Sequence, residues 1–297
     1  MHPAVSATIA TTSAGVASGL LVLLGLIAPG DEVPKTAGFG FVAFALVIGG
    51  IAAALVHSAG KQGAIPGAPA EHLHWLARTR FLLLLNLVPT ILFAFGWIVF
   101  GAVDGFWRGA GIIGTTLAVL TLFAHARVYV SVPTVAAWHN RWVVLNFLAI
   151  GLLAGALWLN VLVHVFGTSN PQIALLSVVA LFFVFYVKRG HWREIDRSQA
   201  RLRMVATGPG EDHGGARPPF YLPPERTRRL RRLAFIFLLA APLLLNLVGM
   251  GRPSGLASLC ALGAALAGTA GIVIERWLFF TDAPTSGANK NSIDLLT

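Results

Sequence analysis

Charge is scarce in this chain. Of its 297 residues only 11% are Asp, Glu, Lys or Arg, while 56% are hydrophobic; a typical soluble protein carries about 25% charged residues. That balance excludes a water-soluble globular domain and predicts an all-α integral membrane protein. Cysteine is nearly absent. Cys260 stands alone inside an apolar run, which excludes an intrachain disulfide and an iron–sulfur cluster held by this chain's own thiolates. Acids are missing where a pump would need them. Of twelve Asp and Glu, only Glu275 falls within an apolar segment, near its end. Ionisable groups at mid-depth are the usual parts of ion pathways, so their absence argues against a proton pump or an ion-coupled transporter. No tight His/Asp/Glu spacing suggests a metal site. The opening MHPAVSATIA has no basic n-region and leads into a run too long for a signal-peptide core, so a retained first helix is expected. No internal repeat is evident.

What is present is a series of long apolar runs. A spanning helix needs roughly 20 mainly apolar residues. Eight stretches qualify, at about 5–29, 36–57, 80–102, 108–130, 143–166, 171–188, 232–250 and 254–280. Pro29-Gly30, Pro34, Gly60, Pro66-Gly67, Pro171, Gly190 and Pro253 punctuate their ends. The expected fold is a bundle of eight transmembrane helices forming a single domain over 1–297. A basic extramembrane loop is expected at about 189–228, where GPGEDHGGARPPFYLPP gathers Pro and Gly.

The 22 Lys and Arg set the orientation. All but Lys35, Arg108 and Arg252 fall on the side shared by the two termini and by the loops after the second, fourth and sixth helices. Basic loops stay in the cytoplasm, so both termini are expected to be cytoplasmic. The net charge of +10 then reports topology, not nucleic-acid binding. Adjacent Glu275 and Arg276 read as a local ion pair near the interface.

The segment 125–147, HARVYVSVPTVAAWHNRWVVLNF, is the one inter-helix stretch dense in charge, aromatic rings and imidazole together. Trp and Tyr beside basic residues mark a membrane–water interface. Two readings stand: a solvated turn with aromatic anchors, or the lining of a pocket for a flat amphipathic ligand. The nine histidines bear on the choice. His57, His125 and His139 lie at helix ends on the basic side, with His72 and His74 in the loop before the third helix. A di-haem arrangement needs facing His pairs at two depths, and only one side is rich in imidazole. A quinone fits better, because it needs donors at two carbonyl oxygens, apolar walls and a proton path. Histidine serves as donor and as proton carrier near neutrality.

Five motifs then carry a resemblance. The opening MHPAVSATIATTSAGVASGLL resembles the first helix of membrane anchor subunits of the dimethyl sulfoxide reductase family. ARVYVSVPTVAAWHNRW resembles their Arg-x-Tyr … Thr-x-x-x-Trp-His segment, HWREID their Trp-Arg-x-Ile-Asp run, VATGPG their Ala-Thr-Gly-x-Gly, and ERWLFF their Glu-Arg-Trp-x-Phe-Phe close. Within that family the chain is most similar to the anchors of sulfite-oxidising complexes. The resemblance implies an anchor in the inner membrane that carries no haem or iron–sulfur cluster. It would dock an iron–sulfur subunit, and through it a molybdopterin catalytic subunit, on the cytoplasmic side. Electrons would pass between that iron–sulfur subunit and ubiquinone or menaquinone, with quinone reduction in a sulfite dehydrogenase the expected direction.

The resemblance places the quinone near His57, Thr79, Arg127, Tyr129, Trp138 and His139. His57 matches the family's helix-two histidine, although HSAGKQG lacks the Leu and Pro that accompany it there. In WLARTR, Thr79 stands where the family has a glutamate tied to quinone chemistry. That exchange implies either that histidine carries the proton or that the quinone site has decayed and the chain is a structural anchor. A haem b carrier is the third alternative. Arg189, Arg193, Arg197, Arg201 and Arg203 are the expected docking residues for the iron–sulfur partner. No catalytic or metal-binding residue is expected in this chain.

Overall fold

The computed structural model describes residues 3–30, 32–59, 69–132, 138–167, 170–206, 224–250, 252 and 254–281. The helices are α1 (Pro3–Ile27), α2 (Ala37–Ala59), α3 (Ala70–Phe100), α4 (Phe106–Val130), α5 (Trp142–Phe166), α6 (Pro171–Ala206), α7 (Pro224–Phe235), α8 (Ala241–Gly249) and α9 (Ser254–Thr281). A π-helical turn, Ile236–Ala240, joins α7 to α8, so these two form one crossing. Eight helical segments are long and apolar enough to span a membrane, as the apolar runs predict. With an even number of crossings, α1 begins and α9 ends on the same face, called here the basic face.

Three boundaries differ from the sequence reading, one of them the start of α7 at Pro224, inside the loop expected to run to about 228. Helix α3 begins at Ala70, ten residues before the apolar run, so His72 and His74 are helical. Glu71 sits in its first turn, and no breaker interrupts EHLHWLARTR after Pro69. The His72 ring is buried and its Nδ1 lies 2.9 Å from the Val128 carbonyl of α4. The third difference concerns α6, which runs past Lys188 to Ala206, into the stretch expected to be loop. Gly190 alone does not stop it, and the residues after it are good helix formers. Hydropathy registers only the part of a helix that meets lipid, so polar extensions escape it. The Pro and Gly cluster at 208–223 lies outside the described residues.

Helix α1 is the hub. It packs against α2, α4, α5 and α9, and most of its spanning length is buried. Small residues make this possible, because helices in lipid associate by close packing. A Cβ added at Gly25 would lie 2.6 Å from the Gly111 carbonyl oxygen of α4. One added at Gly50 of α2 would lie 2.6 Å from the Ser13 carbonyl oxygen of α1. Gly19 faces the backbone of Gly151 and Gly155 in α5. Away from these contacts the helices turn apolar side chains outward: Phe81, Val88, Ile91 and Val99 of α3 are all exposed, as a lipid-facing surface requires. Toward the face opposite the basic one, Asn160 of α5 donates to Asn246 of α8 at 2.9 Å, a buried polar tie of the kind that joins membrane helices.

Candidate functional site

The glycine contacts fix which residues share a depth. Helices α1 and α4 are antiparallel, and Gly25 sits beside Gly111 and Thr115. Counting back along α1 and forward along α4 brings Thr12 level with His125. The Gly50–Ser13 contact likewise brings His57 of α2 level with the first turns of α1. Asn146 of α5 reaches Glu275 of α9 at 3.1 Å. Five helices therefore deliver Thr12, His57, His125, Asn146, Glu275 and Arg276 to one layer, roughly two helical turns thick, just inside the basic face.

This layer is rich in buried polar atoms that have no hydrogen-bond partner among the described residues. They include Thr8 Oγ1, Thr12 Oγ1, His57 Nδ1, His125 Nδ1, Asn146 Oδ1, Glu275 Oε2, and Nε and one terminal nitrogen of Arg276. Buried polar groups are nearly always paired, and an unpaired one costs about 1–3 kcal/mol. His57 and His125 lie within electrostatic reach of each other, and Arg276 lies within reach of both His125 and Tyr129. Arg276 is 1% exposed and its guanidinium lies 3.6 Å from the Phe147 ring centre, a cation–π contact.

Aromatic rings wall this layer. Tyr129 stacks on Phe147 at 5.6 Å and meets Trp138 edge-on at 5.5 Å. Trp138 stacks on Phe279 at 5.7 Å and donates its Nε1–H to the Phe279 carbonyl at 2.8 Å. The turn that follows α4 is thereby stapled to the end of α9, although 141 residues separate the two in sequence.

Of the residues singled out in the sequence, Tyr129 and Trp138 join this cluster and His57 lies at its edge. Three do not join it. Thr79 is buried, but its hydroxyl donates to the Trp75 carbonyl one turn earlier at 2.8 Å. Arg127 pairs with Glu71 at 3.3 Å and lies over the Trp75 ring. His139 is exposed, with Nδ1 2.9 Å from the Val130 carbonyl. Each is engaged within the local α3–α4 or post-α4 structure. Residues 133–137 lie outside the described residues.

Arg189, Arg193 and Arg197 are exposed on the outer part of α6, four residues apart and therefore on one face. The side chains of Arg201 and Arg203 lie outside the described residues. Exposed Arg226, Arg228, Arg229 and Arg232 of α7 extend the basic surface. The two helices are clasped by Arg231 and Asp196 at 2.7 Å.

Sequence reasoning missed His125, Asn146, Lys188 and His191 as a group, and it took Glu275 and Arg276 for a local pair. That pair is present, with Arg276 Nε 3.7 Å from Glu275 Oε2, but Glu275 also reaches across to Lys188 of α6, and both of those side chains are only 2% exposed. One local signal was available: His125 precedes Tyr129 by four residues, which puts both on one face of α4.

The family model for the DMSO reductase anchor subunit matches residues 90–281, from the middle of α3 to the end of α9. The chain is also 26% identical over 320 aligned residues to a sulfite dehydrogenase subunit from Allochromatium vinosum, covering 95% of this chain and 96% of that one. No solved structure matches. The family match takes in α4, α5, α6 and α9, which supply most of the polar layer and its aromatic wall, and the chain belongs to the DMSO reductase anchor subunit family as a multi-pass membrane anchor of such a complex.

Proposed function

We propose that this anchor exchanges electrons between an iron–sulfur partner subunit and a quinone held beneath the basic face. The observation that carries the reading is the set of orphaned buried polar atoms on His57, His125 and Arg276. A quinone ring presents two carbonyl acceptors on a flat apolar body. Imidazole N–H groups and a guanidinium are suitable donors to such acceptors, and Tyr129 and Phe147 provide a matching wall. When bound, the quinone supplies a two-electron, two-proton redox couple. The chain's part is to hold the carbonyl oxygens, exclude lipid and water, and bring protons.

The relative named as a sulfite dehydrogenase subunit supports sulfite as the substrate of the catalytic partner. The arginines of α6 and α7 are the docking surface for the iron–sulfur subunit, and a molybdopterin subunit lies beyond it. The excess of Lys and Arg on that face supports a cytoplasmic placement in the inner membrane, with both termini cytoplasmic.

The test is binding of a fluorescent quinol analogue to the purified complex. Substituting His125→Ala should weaken binding at least tenfold, because a hydrogen bond to a buried acceptor is lost, and His57→Ala should weaken it less. Full affinity in both variants would overturn the assignment. Absence of binding in the unaltered complex would favour a structural anchor whose quinone site has decayed.

A further inference from the structure

Lys188, Glu275 and Arg276 form a buried cluster in which two cations face one carboxylate. Lys188 Nζ donates to Glu275 Oε1. Asn146 Nδ2 donates to the same oxygen at 3.1 Å, while Oε2 has no hydrogen-bond partner among the described residues. A buried ion pair kept purely for stability needs its remaining lone pairs satisfied. This one leaves a carboxylate oxygen and the Asn146 carbonyl oxygen without a hydrogen bond among the described residues, with Arg276 Nε 3.7 Å from that carboxylate oxygen.

On its outer side the cluster borders a cavity of about 20 Å³, lined by Lys188, His191, Trp192, Arg231, Glu275 and Phe279 among others. That is room for one water molecule, in a wall with enough polar groups to bind it. Arg231 connects this cavity to the exposed Asp196. His191 accepts from Asn140 Nδ2 at 3.4 Å and faces Phe279. On its inner side the cluster meets the proposed quinone site, because Arg276 lies beside Phe147 and within reach of Tyr129 and His125. Titratable groups thus run inward from α6 and α7 (Asp196, Arg231, His191, Lys188) through α9 (Glu275, Arg276) to α4 (Tyr129, His125).

We infer that Glu275 is the proton-relay residue of this anchor, linking the cavity under the α6–α7 arginines to the quinone site. The inference rests on the quinone reading above. Reduction of quinone to quinol consumes two electrons and two protons. The electrons come one at a time from the partner's iron–sulfur centre, and both protons come from water at the basic face. Each proton enters by the cavity beside His191 and Lys188, binds Oε2 of Glu275, and is passed inward past Asn146 and Arg276 to the His125 side of the quinone site, where it ends on a quinone oxygen. Arg276 cannot release a proton; it holds the carboxylate in place and favours its return to the charged form. Lys188 does the same from the other side, so the carboxylate is recharged after each transfer.

The experiment uses the whole complex, reconstituted in vesicles, with two variants. One is Glu275→Gln, which keeps Asn146 supplied with an acceptor. The other is the double substitution Lys188→Met with Glu275→Gln, which removes one cation together with the carboxylate and still leaves an acceptor beside Asn146 and Arg276. Three readouts are taken: binding of the fluorescent quinol analogue, quinone-dependent turnover across pH, and the redox-induced infrared difference spectrum. The relay predicts that in both variants analogue binding weakens far less than turnover, because His57, His125 and Arg276 remain. It predicts that turnover falls at least tenfold, most at high pH, and recovers partly with a small membrane-permeant weak acid. It also predicts a carboxyl band in the infrared spectrum that both variants lose. A folded double variant with undiminished turnover, or an infrared spectrum unchanged by Glu275→Gln, would overturn the relay and leave the cluster as a structural tie. Loss of analogue binding in the unaltered complex would instead remove the quinone reading on which the relay stands.

Discussion

The contact between α1 and α5 offers a direct test of the packing. A Cβ built on Gly19 would lie 2.6 Å from Gly151 C and closer still to Gly151 O, with Gly155 N at 3.1 Å. All three atoms are backbone, so no side chain can rotate away. Carbon atoms rest about 3.5–4.0 Å apart, and Gly19→Ala must therefore push the two helices apart by about 1 Å. Overpacking of this kind costs about 1–3 kcal/mol, and the upper half of that range is expected where backbone meets backbone. Gly49→Ala is the control, since a Cβ there meets nothing within 4 Å; it should be neutral or stabilise by up to about 1 kcal/mol through helix propensity. Unfolding of the purified chain in mixed micelles, followed by Trp fluorescence, measures both. If Gly19→Ala unfolds no more easily than Gly49→Ala, α1 does not touch α5 as described. The same displacement would shift Thr12 against Asn146, so the variant should also bind the quinol analogue more weakly.

Two further outcomes follow from individual contacts. Thr79→Glu, which restores the residue type the resemblance calls for, should destabilise the chain by about 3–5 kcal/mol, the scale for leaving a buried charge uncompensated; Thr79 is fully buried and already bonded to its own helix. Unfolding in mixed micelles measures the loss, and a rise in quinone turnover would show instead that the carboxylate has work to do at that position. Asn246→Leu removes the partner of Asn160 and should cost about 1 kcal/mol in the same unfolding measurement, with quinol-analogue binding unchanged, because the pair lies toward the face opposite the basic one.

The eight crossings were legible because each is a nearly unbroken apolar run, and lipid imposes that pattern on any helix it surrounds. The polar ends of α3 and α6 were not, because helix continues there without apolar residues to announce it. Lys188 shows the consequence. Standing at the end of the sixth apolar run and before a basic stretch, it carries no sign in sequence that it is one of the large side chains fully buried in the bundle. Its identity as a partner of Glu275 depends on how α6 leans on α9, and no local pattern encodes that. Tyr129 and Trp138 were legible as a pair because one segment carries both. Arg276 and His125 stand 151 positions apart in the chain, and only the folded bundle brings them together. The arginines of α6 were expected at the surface, and those whose side chains are described lie there.

Helix α6 is 36 residues long, about 54 Å at 1.5 Å per residue, against a hydrocarbon core of about 30 Å. It does not break where it leaves the lipid. Its inner half is locked to α5, with Ser177 bonded to the Ala156 carbonyl, and its outer half carries the arginines. A rod held at one end and loaded at the other transmits torque. On the proposed docking, a partner that settles on Arg193 and Arg197 would pull on Lys188 midway along the same rod, and through it on Glu275. Assembly of the complex and the alignment of the buried charges would then be a single mechanical event, and a flexible linker inserted after Arg193 should uncouple them while leaving both ends folded.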